Sequence, residues 1–201
     1  MLQIPEKKHR PVKTASVALI AILLLGGGLY TLSIYLSPAV AGVFFAKPIV
    51  VSSLPAPRAS QNRIVIPKIG VNIEYGKGET ALNSGAQWRW PERGNPETGG
   101  NFIIAAHRLS IQPTPLGTIE KSPFYNISDV AVRDKIIVDY DGVRYGYEVE
   151  KIASVKPNDT SIEAPSSTAK LTLYSCELAG SLANRVVLTA TPLGKVALSS
   201  K

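Results

Sequence analysis

Residues 134–152 read DKIIVDY (134–140), DG (141–142) and VRYGYEVEKI (143–152). The first arm is rich in β-branched and aromatic residues. In the second arm Val143, Tyr145, Tyr147 and Val149 alternate with Arg144, Gly146, Glu148 and Glu150, a period of two that puts one face in a core and the other in water. Asp141-Gly142 joins the arms, and Gly accepts the positive φ that a two-residue hairpin turn demands. The stretch is a β-hairpin. Further strands are expected at 63–66, 71–75, 101–106, 170–175 and 185–191, with short helical turns at 79–84 and 123–127. No amphipathic helix of three or more turns is visible in the sequence. Many short strands separated by Gly and Pro turns make a mainly β domain, a barrel or a sandwich.

Ahead of this domain, residues 15–36 read ASVALIAILLLGGGLYTLSIYL, 22 residues without a charge. As a helix they span roughly 33 Å, enough to cross a hydrocarbon core of about 30 Å. The alternative for such a run is a cleaved signal peptide, whose apolar region is ordinarily about 7–15 residues long; small residues at 37–42 would admit cleavage. Lys7, Lys8, Arg10 and Lys13 precede the run, and only Lys47 and Arg58 follow it closely. The positive-inside rule then puts the N-terminus in the cytoplasm and the rest outside the cell, on a single-pass membrane anchor. The expected organisation is a basic tail (1–14), a transmembrane anchor (15–36), a Pro-, Ala- and Ser-rich linker (37–62) and one folded domain (63–201).

The formal charge is +7, but from Arg63 onward 16 basic residues face 14 acidic ones, so the domain carries only about +2. A nucleic-acid binder keeps its excess charge on the folded domain; here the excess lies beside the apolar run. No Gly-rich phosphate loop is present, since Gly76-Lys77-Gly78 lacks the wider pattern.

Cys176 is the single cysteine, and of two histidines His9 lies in the basic tail, leaving His107 as the domain's one imidazole. An internal disulfide is impossible, and one Cys with one His falls short of a zinc ligand set, so no metal and no cofactor are expected. Both residues stand at strand ends: NFIIAA leads into His107 and KLTLYS into Cys176. Arg185 opens the next strand after a loop of eight residues, 177–184. A thiolate is a strong nucleophile and imidazole can exchange its proton. Imidazolium can protonate a leaving amine, and a guanidinium can donate to a developing oxyanion. A buried structural thiol and a solvated arginine are the bland readings of the same residues.

Around these positions the chain resembles the sortase family. The resemblance rests on Thr172-Leu173-Tyr174-Ser175-Cys176, on Arg185-Val186-Val187-Leu188, and on Ile103-Ile104-Ala105-Ala106-His107. It extends to Arg63-Ile64-Val65-Ile66-Pro67, Trp88-Arg89-Trp90-Pro91 and Pro123-Phe124-Tyr125-Asn126. It covers about 63–192. It implies an eight-stranded β-barrel with a groove at strand ends. It further implies Cys176 as nucleophile, His107 as acid/base partner, Arg185 as oxyanion or substrate-backbone donor and Ser175 as a substrate-binding residue. The implied reaction cuts an LPXTG-like sorting signal of a surface protein through a thioacyl enzyme. An amine, from a cell-wall precursor or a pilin lysine, then takes the acyl group. Loops 110–122 and 156–168 are expected to shape the substrate pocket.

Three departures stand out: Ser175 where the family usually has Thr, Ala106 where Gly commonly precedes the His, and Glu177 directly after the Cys, where a carboxylate near the thiol would disfavour the thiolate. A cysteine L,D-transpeptidase fits less well, because that pattern wants Gly before the Cys and Arg two residues after it, where this chain has Ser175 and Leu178. The reading from another class is a non-catalytic, membrane-tethered β-domain that binds wall or surface protein.

Overall fold

The computed structural model describes residues 14–44 and 47–197; His9 and the basic cluster 7–13 lie outside them. Nine strands form in chain order: β1 Arg63–Ile66, β2 Val71–Lys77, β3 Ala86–Arg89, β4 Gly94–Asn95, β5 Gly99–Ala106, β6 Lys135–Tyr140, β7 Val143–Val155, β8 Lys170–Cys176 and β9 Arg185–Lys195. The sheet runs β3-β2-β1-β6-β7-β9-β8-β5, and β3 pairs with β5 to close an eight-stranded barrel; β4 is a two-residue appendage on β5. The mainly β expectation and the barrel both hold.

The hairpin that decides the fold is β6–β7. Asp141 and Gly142 have φ of 46° and 77°, as a two-residue turn requires. Their arms pair in unbroken register from Tyr140 opposite Val143 to Lys135 opposite Glu148. β7 then continues past Ile152 to Val155 and pairs along its length with β9, with register shifts at Gly146/Tyr147 and Val149/Lys151. Such irregularities bend a strand, and these lie where the long hairpin arm must curve to follow the barrel wall.

Period-two alternation fills the inside. Ile64, Ile66, Phe102, Ile104, Ile136, Val138, Leu171, Leu173 and Leu188 belong to one buried cluster. Tyr75, Trp88, Phe102 and Tyr140 meet edge to face, with ring centroids 5.6–6.4 Å apart. That geometry sets the positive edge of one ring against the negative face of the next.

Helix α1 (Thr14–Phe44) includes the apolar run and continues beyond Leu36. Pro38 inside it lacks the N–H that would bond the Ile34 carbonyl. The Ser37 hydroxyl donates to that carbonyl instead, at 2.8 Å, so the helix passes the proline. It is long and apolar enough to cross a membrane.

Residues 47–62, expected as a linker, run along the barrel under fixed contacts. Ile49 N donates to Pro67 O at 2.9 Å, and Asp141 N donates to Asn62 Oδ1 at 3.1 Å. Arg144 forms a two-pronged pair with Asp139 (2.7 and 2.8 Å), both side chains 4% exposed, and donates to Pro55 O at 2.7 Å. A buried arginine needs this many acceptors, and the Pro55 carbonyl supplies one from the linker.

Two further helices are short: α2 (Ala81–Ser84), inside the turn expected at 79–84, and α3 (Pro115–Glu120), inside the expected loop 110–122. Strand β3 was not legible as a strand beforehand. It has only four residues, AQWR, and pairs parallel to β2 and antiparallel to β5.

Candidate active site

Alternation along β8 turns Leu171 and Leu173 inward with Ser175, and Thr172, Tyr174 and Cys176 outward. The antiparallel register of β8 and β9 sets Arg185 directly opposite Cys176 and Val187 opposite Tyr174. On the other side β5 runs parallel to β8, with Ala105 level with Tyr174. Two residues further along that register His107 comes level with Cys176. Neighbouring strands lie about 4.8 Å apart. Cys176 at the end of β8 and Arg185 at the start of β9 thus face each other across adjacent strands at one rim of the barrel, and His107, one residue past the end of β5, comes level with them by the extended register. His107 and Cys176 are half-buried.

The neighbourhood is tied down. The His107 carbonyl accepts from Phe124 N at 3.0 Å. The buried Arg108 guanidinium donates to Tyr125 O (3.2 Å) and Ser128 Oγ (2.7 Å), which fixes the segment after β5. Arg185 donates to Ala183 O (2.7 Å) and Ser181 O (3.1 Å), in the loop 177–184.

Ser175 is 2% exposed, and its hydroxyl donates to Ala106 O at 2.7 Å. It clips β8 to β5 on the side of the strand away from the thiol. The two neighbouring departures are accommodated. Ala106 keeps a negative φ and is buried, so the missing glycine costs nothing in backbone conformation. Glu177 lies on the opposite face from Cys176, and its carboxylate accepts from Ser154 Oγ on β7 at 2.7 Å.

Sequence reading missed the cluster that anchors the connection between β7 and β8, residues 156–169. Outward-facing Asn101 donates to Ile162 O (3.1 Å) and Ala164 O (2.8 Å), while its own carbonyl accepts from Thr172 Oγ1 (2.7 Å). The Glu163 carboxylate, nearly buried, accepts from Arg89 Nε (2.9 Å), Trp90 Nε1 (2.8 Å) and Tyr174 Oη (2.5 Å); Arg93 donates to its carbonyl at 2.6 Å. Trp90 sits at φ 47°, an uncommon conformation for a bulky residue, and its indole bond to Glu163 helps hold it there. The connection is thus laid against the same outward face as Cys176. Tyr174, two residues before the thiol, belongs to both.

Burial raises the Glu163 carboxyl, but the bonds from Tyr174, Trp90 and Arg89 outweigh it, and the net shift is downward. Burial first, and then Glu163, push the Tyr174 phenol up, so it remains a donor at neutral pH. A lowered carboxyl stabilises the fold above its unfolded value and loses that contribution as pH falls through the folded one. The anchor should therefore hold through neutral pH and loosen only in acid, below the ordinary glutamate range. Glu163→Ala is expected to cost about 1–3 kcal/mol of stability by orphaning these donors. It should also raise amide exchange across 160–164, measurable by mass spectrometry; unchanged exchange there would show that Glu163 is no anchor.

The sortase domain family matches residues 64–193. The chain belongs to the sortase family. A sortase D5 transpeptidase of Clostridium perfringens is 26% identical, with a TM-score of 0.54 over 67% of this chain and 79% of that one. Sortase A of Corynebacterium diphtheriae is 25% identical, with a TM-score of 0.54 over 74% and 65% of the two chains. Sortase A of Listeria monocytogenes, 22% identical over 71% and 92%, shares the fold with a TM-score of 0.56. No match was found among curated proteins. Sortases are cysteine transpeptidases, and this one has a single cysteine to act with. The family sets aside the reading as a non-catalytic binding domain.

Proposed function

We propose that this sortase cleaves an LPXTG-like sorting signal near the C-terminus of surface proteins and joins the new carboxyl end to an amine. The observation that carries the proposal is the pairing of Cys176 with Arg185 across β8 and β9, with His107 directly after β5, the strand that flanks β8 on its other side. The Cys176 thiolate attacks the carbonyl carbon of the signal's Thr. The tetrahedral oxyanion is met by the Arg185 guanidinium. The Thr–Gly C–N bond breaks, and His107 as imidazolium gives its proton to the departing amine. An incoming amine, from a cell-wall precursor or a pilin lysine, then attacks the thioester. His107 takes its proton, an amide forms and the thiolate leaves. In this reading Ser175 positions the nucleophile strand against β5, and the anchored connection 156–169 walls the groove.

The reaction is tested by incubating the full chain in detergent with sorting-signal peptides and candidate amines and reading the products by mass. An amide between acyl fragment and amine supports the reading. Cleavage of no peptide that contains the signal overturns it.

The same proposal places residues 1–14 in the cytoplasm, 15–36 in the membrane and the domain from Arg63 outside, because the basic cluster precedes the apolar run. Protease shaving of intact cells is expected to remove the domain and leave a membrane-embedded stub. A domain that resists until lysis would reverse the orientation.

A further inference from the structure

We propose that the segment between β5 and the turn at 122, residues 110–120, is seated in the outer leaflet of the membrane beside α1 and fixes the barrel's height and tilt over the bilayer. This rests on the reading of α1 as a membrane span.

The segment packs on the helix itself. Tyr30 Oη donates to Pro113 O at 2.9 Å, and Ser37 Oγ lies 3.0 Å from Pro115 O. Ile34, between them, is buried. The part of α1 ahead of these contacts, 15–29, has 15 residues and rises roughly 22 Å, short of a hydrocarbon core of about 30 Å. About five more residues, through Ile34, must lie within the hydrocarbon. Tilting the helix only increases the number required. Tyr30 and Ile34 lie within that stretch and Ser37 less than one turn past it, so the segment sits at the outer end of the span.

Its chemistry suits that place. Ile111 and Leu116 are 60% and 64% exposed and point to no protein partner that buries them. Ile119, next to last in α3, lines one apolar groove with Leu29, Leu32, Leu36 and Val40 of the helix. Pro113 and Pro115 have no N–H to satisfy. Several of the segment's other amides are bonded internally: Ser110 N to Ser122 Oγ (3.0 Å), Gln112 N to Thr118 Oγ1 (3.0 Å), Gly117 N to Thr114 Oγ1 (3.1 Å) and Thr118 N to Thr114 O (3.0 Å). Backbone at the edge of hydrocarbon needs its amides bonded in this way. Tyr35, about half exposed, stands just past that stretch, at the level where aromatic residues gather at a membrane interface. The segment begins three residues after His107, so at most about 14 Å of chain separates Ile111 from the imidazole's residue. The seat therefore bears directly on how the groove faces the membrane.

Nitroxide labels measure the depth. In the full chain carrying Cys176→Ala, single cysteines are placed at Ile111, Leu116, Leu24 within the span and Leu182 in the exposed loop 177–184. Each variant is reconstituted into phosphatidylcholine–phosphatidylglycerol vesicles. Collision with oxygen is compared with collision with a water-soluble nickel chelate. The oxygen-to-nickel ratio at 111 and 116 is expected to lie several-fold above that at 182 and below that at 24. A ratio at 111 and 116 equal to that at 182, with 24 deep in lipid, overturns the seat while the span stands. Water-like values at 24 as well would overturn both. Spin–spin broadening at 116 that disappears on dilution with unlabelled protein would make the occupant a second copy rather than lipid, and would also overturn the proposal.

Discussion

Replacing Cys176 with alanine is expected to lower transpeptidation by at least about 10³-fold, because a covalent nucleophile acts as one unit with its partners and cannot be partly replaced. Cys176 is the chain's one thiol, half-buried at the end of β8 and opposite Arg185 on β9. The substitution removes a small side chain from an outward-facing position, so the barrel should unfold at an unchanged temperature. Wild-type protein given a cognate peptide and no amine should gain the mass of the acyl fragment, mapped to Cys176. Hydroxylamine should discharge it as a hydroxamate. His107→Ala should fold yet acylate poorly, since thiolate and leaving amine both lose their proton partner. An adduct on another residue, or continued cleavage by Cys176→Ala, would end the assignment of the nucleophile.

How much of this was legible in advance depends on how far apart in sequence the interacting residues lie. The β6–β7 hairpin was readable because its turn chemistry and its alternation are local. Cys176 and Arg185 were readable as neighbours, since eight residues join the end of one strand to the start of its antiparallel partner. His107 is a different case. Its place beside Cys176 depends on the parallel pairing of β5 with β8, which needs a crossover and leaves no local mark. The family resemblance, not the pattern, is what set His107 with Cys176.

Strand β3 was missed because four residues alternating Ala86, Gln87, Trp88 and Arg89 give too short a period to recognise. Glu163 was missed because a carboxylate in a Pro- and Ser-rich stretch looks solvated. Its partners Arg89 and Trp90 lie 74 and 73 residues away. The available signal was the density of donors in Arg89-Trp90-Pro91-Glu92-Arg93, three of which donate to Glu163. The end of α1 was hidden by Pro38. Proline ordinarily marks a boundary, and only the Ser37 hydroxyl bond to the Ile34 carbonyl removes the cost of passing it.

Arg185→Ala is expected to lower turnover by about 10²-fold or more, as loss of a charged oxyanion donor does. The guanidinium also donates to the carbonyls of Ala183 and Ser181, so the same residue could instead act by shaping the loop 177–184. The two roles separate in the kinetics. A donor to the developing oxyanion is felt only in the transition state, so its loss lowers kcat and kcat/KM together with KM little changed. A loop that has lost its internal bonds binds substrate less well in ground and transition state alike, which raises KM with kcat preserved. Arg185→Lys keeps the charge but lacks the planar fork of donors, so it should recover only part of the rate under the first role. Amide exchange over 178–184 gives the independent check, since the loop role requires those amides to open in the alanine variant. Arg185 stands opposite Cys176 by the register of β8 and β9, a position that loop shaping alone would not require. The expected result is therefore the fall in kcat. A variant that raises KM alone, with faster exchange across the loop, would remove Arg185 from the chemistry and leave it as a brace for the groove's rim.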